Sequence, residues 1–122
     1  MRQQLLLVED QKGIRDLLTT YFQLHGLDVT TAGTASQAID LCNERIFDLI
    51  ILDIGLPDVD GLELLSNLKK LTTAPVIVLT GMEAEPALEK EAKDKGANAF
   101  VCKNASLESI YDCIEKLLPK KE

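Results

Sequence analysis

The chain is short of the residues that would announce several common functions. It has one histidine and three cysteines, Cys42, Cys102 and Cys113, with no C-x-x-C pair. An odd count without paired spacing gives neither a disulfide framework nor a zinc knuckle, so the cysteines read as reduced and packed, as in a cytoplasmic protein. Long apolar runs are missing as well. The first is only Leu5-Leu6-Leu7-Val8 before Glu9, too short for a signal peptide or a membrane span. Positive charge is in deficit: 13 Lys and Arg against 20 Asp and Glu give a formal charge of −7. Such a surface repels phosphate backbones, which argues against direct nucleic-acid binding. No linker or low-complexity segment divides the 122 residues. They fit one domain, spanning 1–122 with a core over about 5–118, and 46% hydrophobic content suffices to bury that core without staples.

What is present is a rhythm. Apolar runs at 5–8, 49–52, 76–79 and 99–101 are too short for helices and read as buried strands; 27–31 is a weaker, alternating fifth. Helical spacing lies between them. Ile14, Leu17, Leu18 and Tyr21 form one stripe, with Asp10 as its expected cap. Ala35, Ala38, Ile39 and Cys42 form a second, behind a Thr34-x-x-Gln37 capping box. Leu64, Leu65, Leu68 and Leu71 make a third. Ala84, Ala87, Leu88 and Ala92 make a fourth that stops at Gly96. Leu107, Ile110, Tyr111, Ile114, Leu117 and Leu118 make the fifth, capped by Ser106. Strand and helix alternate throughout, which predicts an α/β fold: a parallel sheet with helices on both faces.

The polar residues that follow the strands carry the chemistry. Glu9 and Asp10 follow the first, Asp53 the third, Thr80 the fourth and, one residue on, Lys103 the fifth. Parallel strands place these ends on one edge, where open α/β sheets bind ligands. Three converging carboxylates stay ionised at neutral pH only beside a cation. Mg²⁺ takes such oxygen ligands, a lysine can bind a phosphoryl oxygen, and a carboxylate can serve as nucleophile in forming an aspartyl phosphate. Alone, Asp53 reads equally well as a loop cap, and Lys103 reads first as a solvated charge. The set together favours phosphoryl chemistry.

The order of motifs is specific. Leu6-Leu7-Val8-Glu9-Asp10, Asp48-Leu49-Ile50-Ile51-Leu52-Asp53 and Leu56-Pro57-Asp58-x-Asp60-Gly61 are followed by Pro75-Val76-Ile77-Val78-Leu79-Thr80-Gly81 and Gly96-Ala97-x-Ala99-Phe100-x-x-Lys103. In this order the chain resembles the receiver domain of bacterial response regulators. The resemblance implies a flavodoxin-like (βα)5 fold, doubly wound, with five parallel strands in the order 2-1-3-4-5. It implies Asp53 as phosphoacceptor and Mg²⁺ held by Asp10, Asp53 and the Gly55 carbonyl, with Glu9 holding metal-bound water. Thr80 and Lys103 would contact the phosphoryl group, and Phe100 would swing inward behind Thr80 as the switch aromatic. The donor would be a phosphohistidine on a histidine kinase or histidine phosphotransfer protein. A downstream protein would dock on the face made by the fourth helix, fifth strand and fifth helix.

Two departures stand out. Asn104 occupies the place of the family's proline, which is joined to the lysine by a cis peptide. A cis bond without proline costs about 3 kcal/mol, so the Lys103–Asn104 bond is either cis and strained or trans with the loop rerouted. Gly55 and Met82 stand at the two positions that tune dephosphorylation in this family. Neither side chain orients a water, which predicts slow self-hydrolysis. Two competing readings are a receiver-like interaction module that no longer accepts phosphate and a flavodoxin-like nucleotide or flavin binder. The second lacks a Gly-rich loop after the first strand, where Glu9-Asp10 would repel a phosphate.

Overall fold

Every apolar run folds as a strand, and every stripe as a helix. The structure, a computed structural model, describes residues 2–56, 59–81 and 85–119. The elements alternate as β1 (Gln4–Val8), α1 (Lys12–Leu24), β2 (Asp28–Ala32), α2 (Ala35–Glu44), β3 (Leu49–Asp53), α3 (Gly61–Leu71), β4 (Val76–Thr80), α4 (Pro86–Asp94), β5 (Ala99–Cys102) and α5 (Leu107–Leu117). The strands form one parallel sheet in the order β2-β1-β3-β4-β5.

Strand alternation divides the core between two faces. Leu6, Val8, Ile50, Leu52, Val76 and Val78 point toward α2, α3 and α4, where they meet Ala38, Leu65, Leu68 and Ala92. Leu5, Leu7, Leu49, Ile51, Ile77 and Leu79 point toward α1 and α5, where they meet Leu18, Phe22, Ile110 and Ile114. Both faces of β3 and β4 are covered, which is why these segments read as unbroken apolar runs. Each fully buried aliphatic side chain contributes about 1.5–3 kcal/mol. At the far end of α1, the His25 ring lies between Tyr21 and Tyr111, with ring centroids 4.4 and 4.3 Å away, and ties α1 to α5.

Local chemistry sets the helix ends. The Ser109 amide donates to the Ser106 side chain at 3.0 Å, and the Leu62 amide to Asp60 at 2.9 Å. The Gln37 amide donates to Thr34 Oγ1 at 3.2 Å, while Gln37 Oε1 accepts from the Gly33 amide at 2.8 Å, so the box closes one residue earlier than its pattern implies. After α4 the chain turns at Gly96, whose φ of +110° suits glycine.

Some expectations are corrected. The N-cap of α1 is Gln11, with no side-chain cap bond, and not Asp10. The Asp10 carboxylate belongs instead to an acidic cluster at the sheet edge. Leu17 is 55% exposed, because the buried stripe of α1 runs through Leu18 and Phe22; Leu71 is also exposed. The second strand starts and ends one residue later than the expected 27–31. Ala84, from the fourth stripe, and Pro57, Asp58 and Met82 lie outside the described residues.

Gly61, the first residue of α3, sits directly on the backbone of Ile54, just beyond Asp53, and a Cβ there would overlap the Ile54 carbonyl. Backbone yields less than a flexible side chain. Gly61→Ala is therefore expected to destabilise the fold by about 1–3 kcal/mol, read as a lower urea midpoint at constant m-value. An unchanged midpoint would show that the loop after β3 is free to shift.

Candidate functional site

The register of the sheet brings separate stretches of chain to one edge. Val8 pairs with Leu52, Asp53 with Leu79, and Thr80 with Cys102. Asp53 and Thr80 are thus the last residues of adjacent strands, Glu9 and Asp10 leave β1 beside them, and Lys103 follows β5. One carboxylate oxygen from each of Glu9, Asp10 and Asp53 falls within 4.8 Å of the others. Lys103 Nζ donates to Glu9 Oε1 and to Asp53 Oδ2, both at 2.9 Å. The other Asp53 oxygen, Oδ1, accepts from the Gly55 amide at 2.8 Å. Asp10, Asp53, Gly55, Thr80 and Lys103 line a cleft of about 440 Å³ that opens to solvent.

Burial makes the charges costly. Glu9 is 0% exposed, Asp53 2% and the Lys103 side chain 15%. Burial raises the pKa of Glu9, and the nearby Asp53 charge adds to the rise; the Lys103 and Gln11 hydrogen bonds offset only part of it. Burial pulls Lys103 downward, but its bonds to Glu9 and Asp53 outweigh that and leave it above the ordinary lysine value. Three carboxylates and one ammonium leave two formal negative charges on the cluster. Glu9 Oε2 is buried without a hydrogen-bond partner, which is costly. A hard divalent cation matches the donor type and the surplus charge.

A model of the response regulator receiver domain matches residues 5–115. The chain belongs to the response regulator receiver family. Sporulation initiation phosphotransferase F of Bacillus subtilis is 31% identical over 121 residues, covering 99% of this chain and 98% of that protein. The transcriptional activator PfeR of Pseudomonas aeruginosa is 39% identical over 93% of this chain, which spans only 37% of PfeR. A response regulator from Burkholderia pseudomallei, solved with a phosphorylated aspartic acid, a calcium ion and citrate, superposes with a TM-score of 0.85 at 28% identity over 97% of this chain and 67% of that one. The CheY-like receiver of Methanospirillum hungatei gives 0.89 at 26% identity, over 95% and 93%. Receiver domains are signalling phosphoacceptors of two-component systems rather than classical enzymes, and they work with histidine kinases and phosphotransfer proteins.

Within this receiver, Glu9, Asp10, Asp53, Gly55, Thr80 and Lys103 all gather at the edge, as the sequence implied. Phe100 does not share the cleft; it is half-buried and packs with the core under α4, level with Val78. The Lys103–Asn104 peptide is trans. The lysine still reaches Asp53, because its amide donates to the Thr80 carbonyl at 2.7 Å and the chain turns at once, the Ala105 amide donating to Cys102 O at 3.0 Å. Sequence reasoning missed two contacts around Glu9. The Gln11 amide donates to Glu9 Oε1 at 3.2 Å, and Arg15 Nη1 to the Glu9 carbonyl at 3.1 Å. Neither contact follows from a capping pattern or a helix-face spacing, so the residue types alone did not announce them. No described helix is long and apolar enough to cross a membrane.

Because the folded-state pKa of Glu9 is raised, its stabilising contribution is present below its unfolded value and is lost as pH rises through the folded one. Removing Lys103 pushes that value higher still. In metal-free buffer at neutral pH, Lys103→Met is expected to cost about 3 kcal/mol, and the deficit should narrow on acidification. Denaturant titrations at neutral and mildly acid pH test this; a deficit independent of pH would show that Lys103 does not neutralise the cluster.

Proposed function

We propose that the protein accepts a phosphoryl group on Asp53 from a phosphohistidine of a histidine kinase or phosphotransfer protein, and that this changes its binding to a downstream partner. The observation that carries the reading is the pairing of Asp53 with Lys103 at 2.9 Å, on the floor of a cleft whose neighbouring carboxylates fit a divalent ion. Asp10, Asp53 and the Gly55 carbonyl would hold Mg²⁺, with Glu9 behind them. When bound, Mg²⁺ offsets the charge of the phosphoryl oxygens.

The chain's own residues do the rest. An Asp53 carboxylate oxygen attacks phosphorus and forms the O–P bond while the P–N bond to the donor imidazole breaks. The imidazole nitrogen leaves with the bonding electron pair. Lys103, now shared between two carboxylates, transfers one of its hydrogen bonds to a phosphoryl oxygen, and Thr80 takes another from the cleft wall. Buried placement makes these contacts stronger than in water. Thr80 and Phe100 lie on one face of adjacent strands, two residues apart in register, so a shift of Thr80 is passed to the aromatic ring. The face formed by α4, β5 and α5 then changes for its partner. Gly55 offers no side chain to orient a water, and Met82 no polar one, so self-hydrolysis is slow. The 122 residues act as one cytoplasmic receiver unit, and the surplus of acidic groups leaves nucleic acid to others.

The reading of a module that has lost phosphate acceptance rested on Asn104. Lys103 in contact with Asp53 across a trans bond argues against it.

Incubation with a small phosphodonor and Mg²⁺ should add one phosphoryl group by mass, with none in Asp53→Asn, and the adduct should outlast a scale of seconds. Absence of the adduct in the natural chain would return the function to the interaction module. Thr80→Ala is expected to be phosphorylated yet to respond weakly in partner binding; full binding by that variant would remove Thr80 from the switch.

A further inference from the structure

Glu9 is held by its backbone as firmly as by its side chain. Its amide donates to the Ala32 carbonyl at 2.9 Å, extending the β1–β2 ladder one residue past the strand. Its carbonyl accepts from Arg15 Nη1 at 3.1 Å. Arg15 reaches back from the first turn of α1, where its own amide donates to the Gln11 carbonyl at 2.9 Å. The guanidinium also lies against the loop after β2: a Cβ placed on Gly33 would come within 3.1 Å of Arg15 Nη1. Gly33 is fixed in turn by the Gln37 side chain. Arg15 therefore joins the loop carrying Glu9 and Asp10 to the loop that opens α2.

We propose that Arg15 is a positioning residue for the acidic cluster: it clamps the Glu9 backbone against the Gly33 loop and so sets the affinity of Glu9, Asp10 and Asp53 for a divalent cation. The inference rests on the metal reading of the cluster given above. Among the described residues, Arg15 is the side chain that donates to the Glu9 carbonyl. Without Arg15, the carbonyl of the peptide joining Glu9 to Asp10 loses this hydrogen bond; the Glu9 carboxylate keeps its bonds to Lys103 and to the Gln11 amide, so the Asp10 carboxylate is the one freed to turn. Groups behind a metal's direct ligands matter in this way because they orient the ligands.

Charge and position make opposite predictions here, which gives the idea a sharp test. Arg15 is a cation near a cation site. By Coulomb repulsion between like charges alone, Arg15→Met should tighten Mg²⁺ binding. As a clamp, its loss should weaken binding by about tenfold. Gly33→Ala adds a methyl group against the guanidinium without changing any charge, and its backbone φ is one that alanine adopts, so weaker binding is expected there too.

Mg²⁺ affinity is measured by calorimetry on the full chain, for the natural protein, Arg15→Met, Gly33→Ala and, as a control, Asp10→Asn. Amide exchange of residues 9–12 is followed in parallel in a metal-free chelating buffer. The proposal expects weaker Mg²⁺ binding in both clamp variants and faster exchange of that loop in each without metal. At saturating Mg²⁺ the rate of phosphorylation by a small donor should return toward that of the natural chain. Equal or tighter Mg²⁺ binding in Arg15→Met would overturn the proposal, as would unchanged exchange of the loop. A natural chain that binds no Mg²⁺, or an Asp10→Asn variant that binds it equally well, would instead overturn the metal reading on which the proposal stands.

Discussion

Like charges crowd together at the carboxyl edge of this sheet, and a single ammonium group stands between two of them. Two carboxylates within 4.8 Å of each other repel by about 3–4 kcal/mol at an effective dielectric near 20. Lys103 relieves part of this through its two 2.9 Å contacts. The remainder is held in place by hydrocarbon packing under the strands. Val8, Leu52 and Leu79, which immediately precede the site residues, are all buried. The site is thus a region of electrostatic cost fastened to rigid strand ends, and its compatibility with a divalent cation follows from that cost.

The two-sided core explains why the placement is so determinate. β3 and β4 are enclosed by both layers, so neither strand can slip by one residue without turning its whole apolar set around. Asp53 and Thr80 inherit that fixed register. β2 and β5 at the margins are less buried, and the loops beyond them, with Gly33 and Asn104, are where side-chain contacts rather than packing set the path. The short turn from Cys102 to Ala105 brings Lys103 to Asp53 with an ordinary trans peptide. The missing proline therefore does not exclude the lysine from the cleft.

Much of this was legible in the residues. β3 and β4 are plain as apolar runs because both of their faces are covered, and Ser106 marks the start of α5 because its side chain takes up an orphan amide. Strand order was not legible from periodicity; it came from motif order and the family it resembles. Asp10 failed as a cap because the same short acidic side chain serves the edge cluster, and pattern reasoning has no means of ranking two local uses. Leu17 failed because a stripe of leucines leaves open which of two neighbours faces the sheet. The Arg15–Glu9 bond depends on how α1 folds back over the strand end, so no local spacing announces it, whereas the Gln37 side chain turns back as the capping box implies but reaches one residue further, to Gly33.

The ring stack at the far end of α1 has a practical side. The chain contains no tryptophan, and its two tyrosines are both in that stack, on either side of His25. α1 begins beside Asp10 and is 13 residues long, so about 20 Å of helix separates the stack from the cleft. Apart from weak phenylalanine emission, the ultraviolet emission of this molecule comes from the junction of its first and last helices. A change in that emission on adding ligand would record motion carried across the whole height of the sheet, with no direct contribution from the chemistry at the rim.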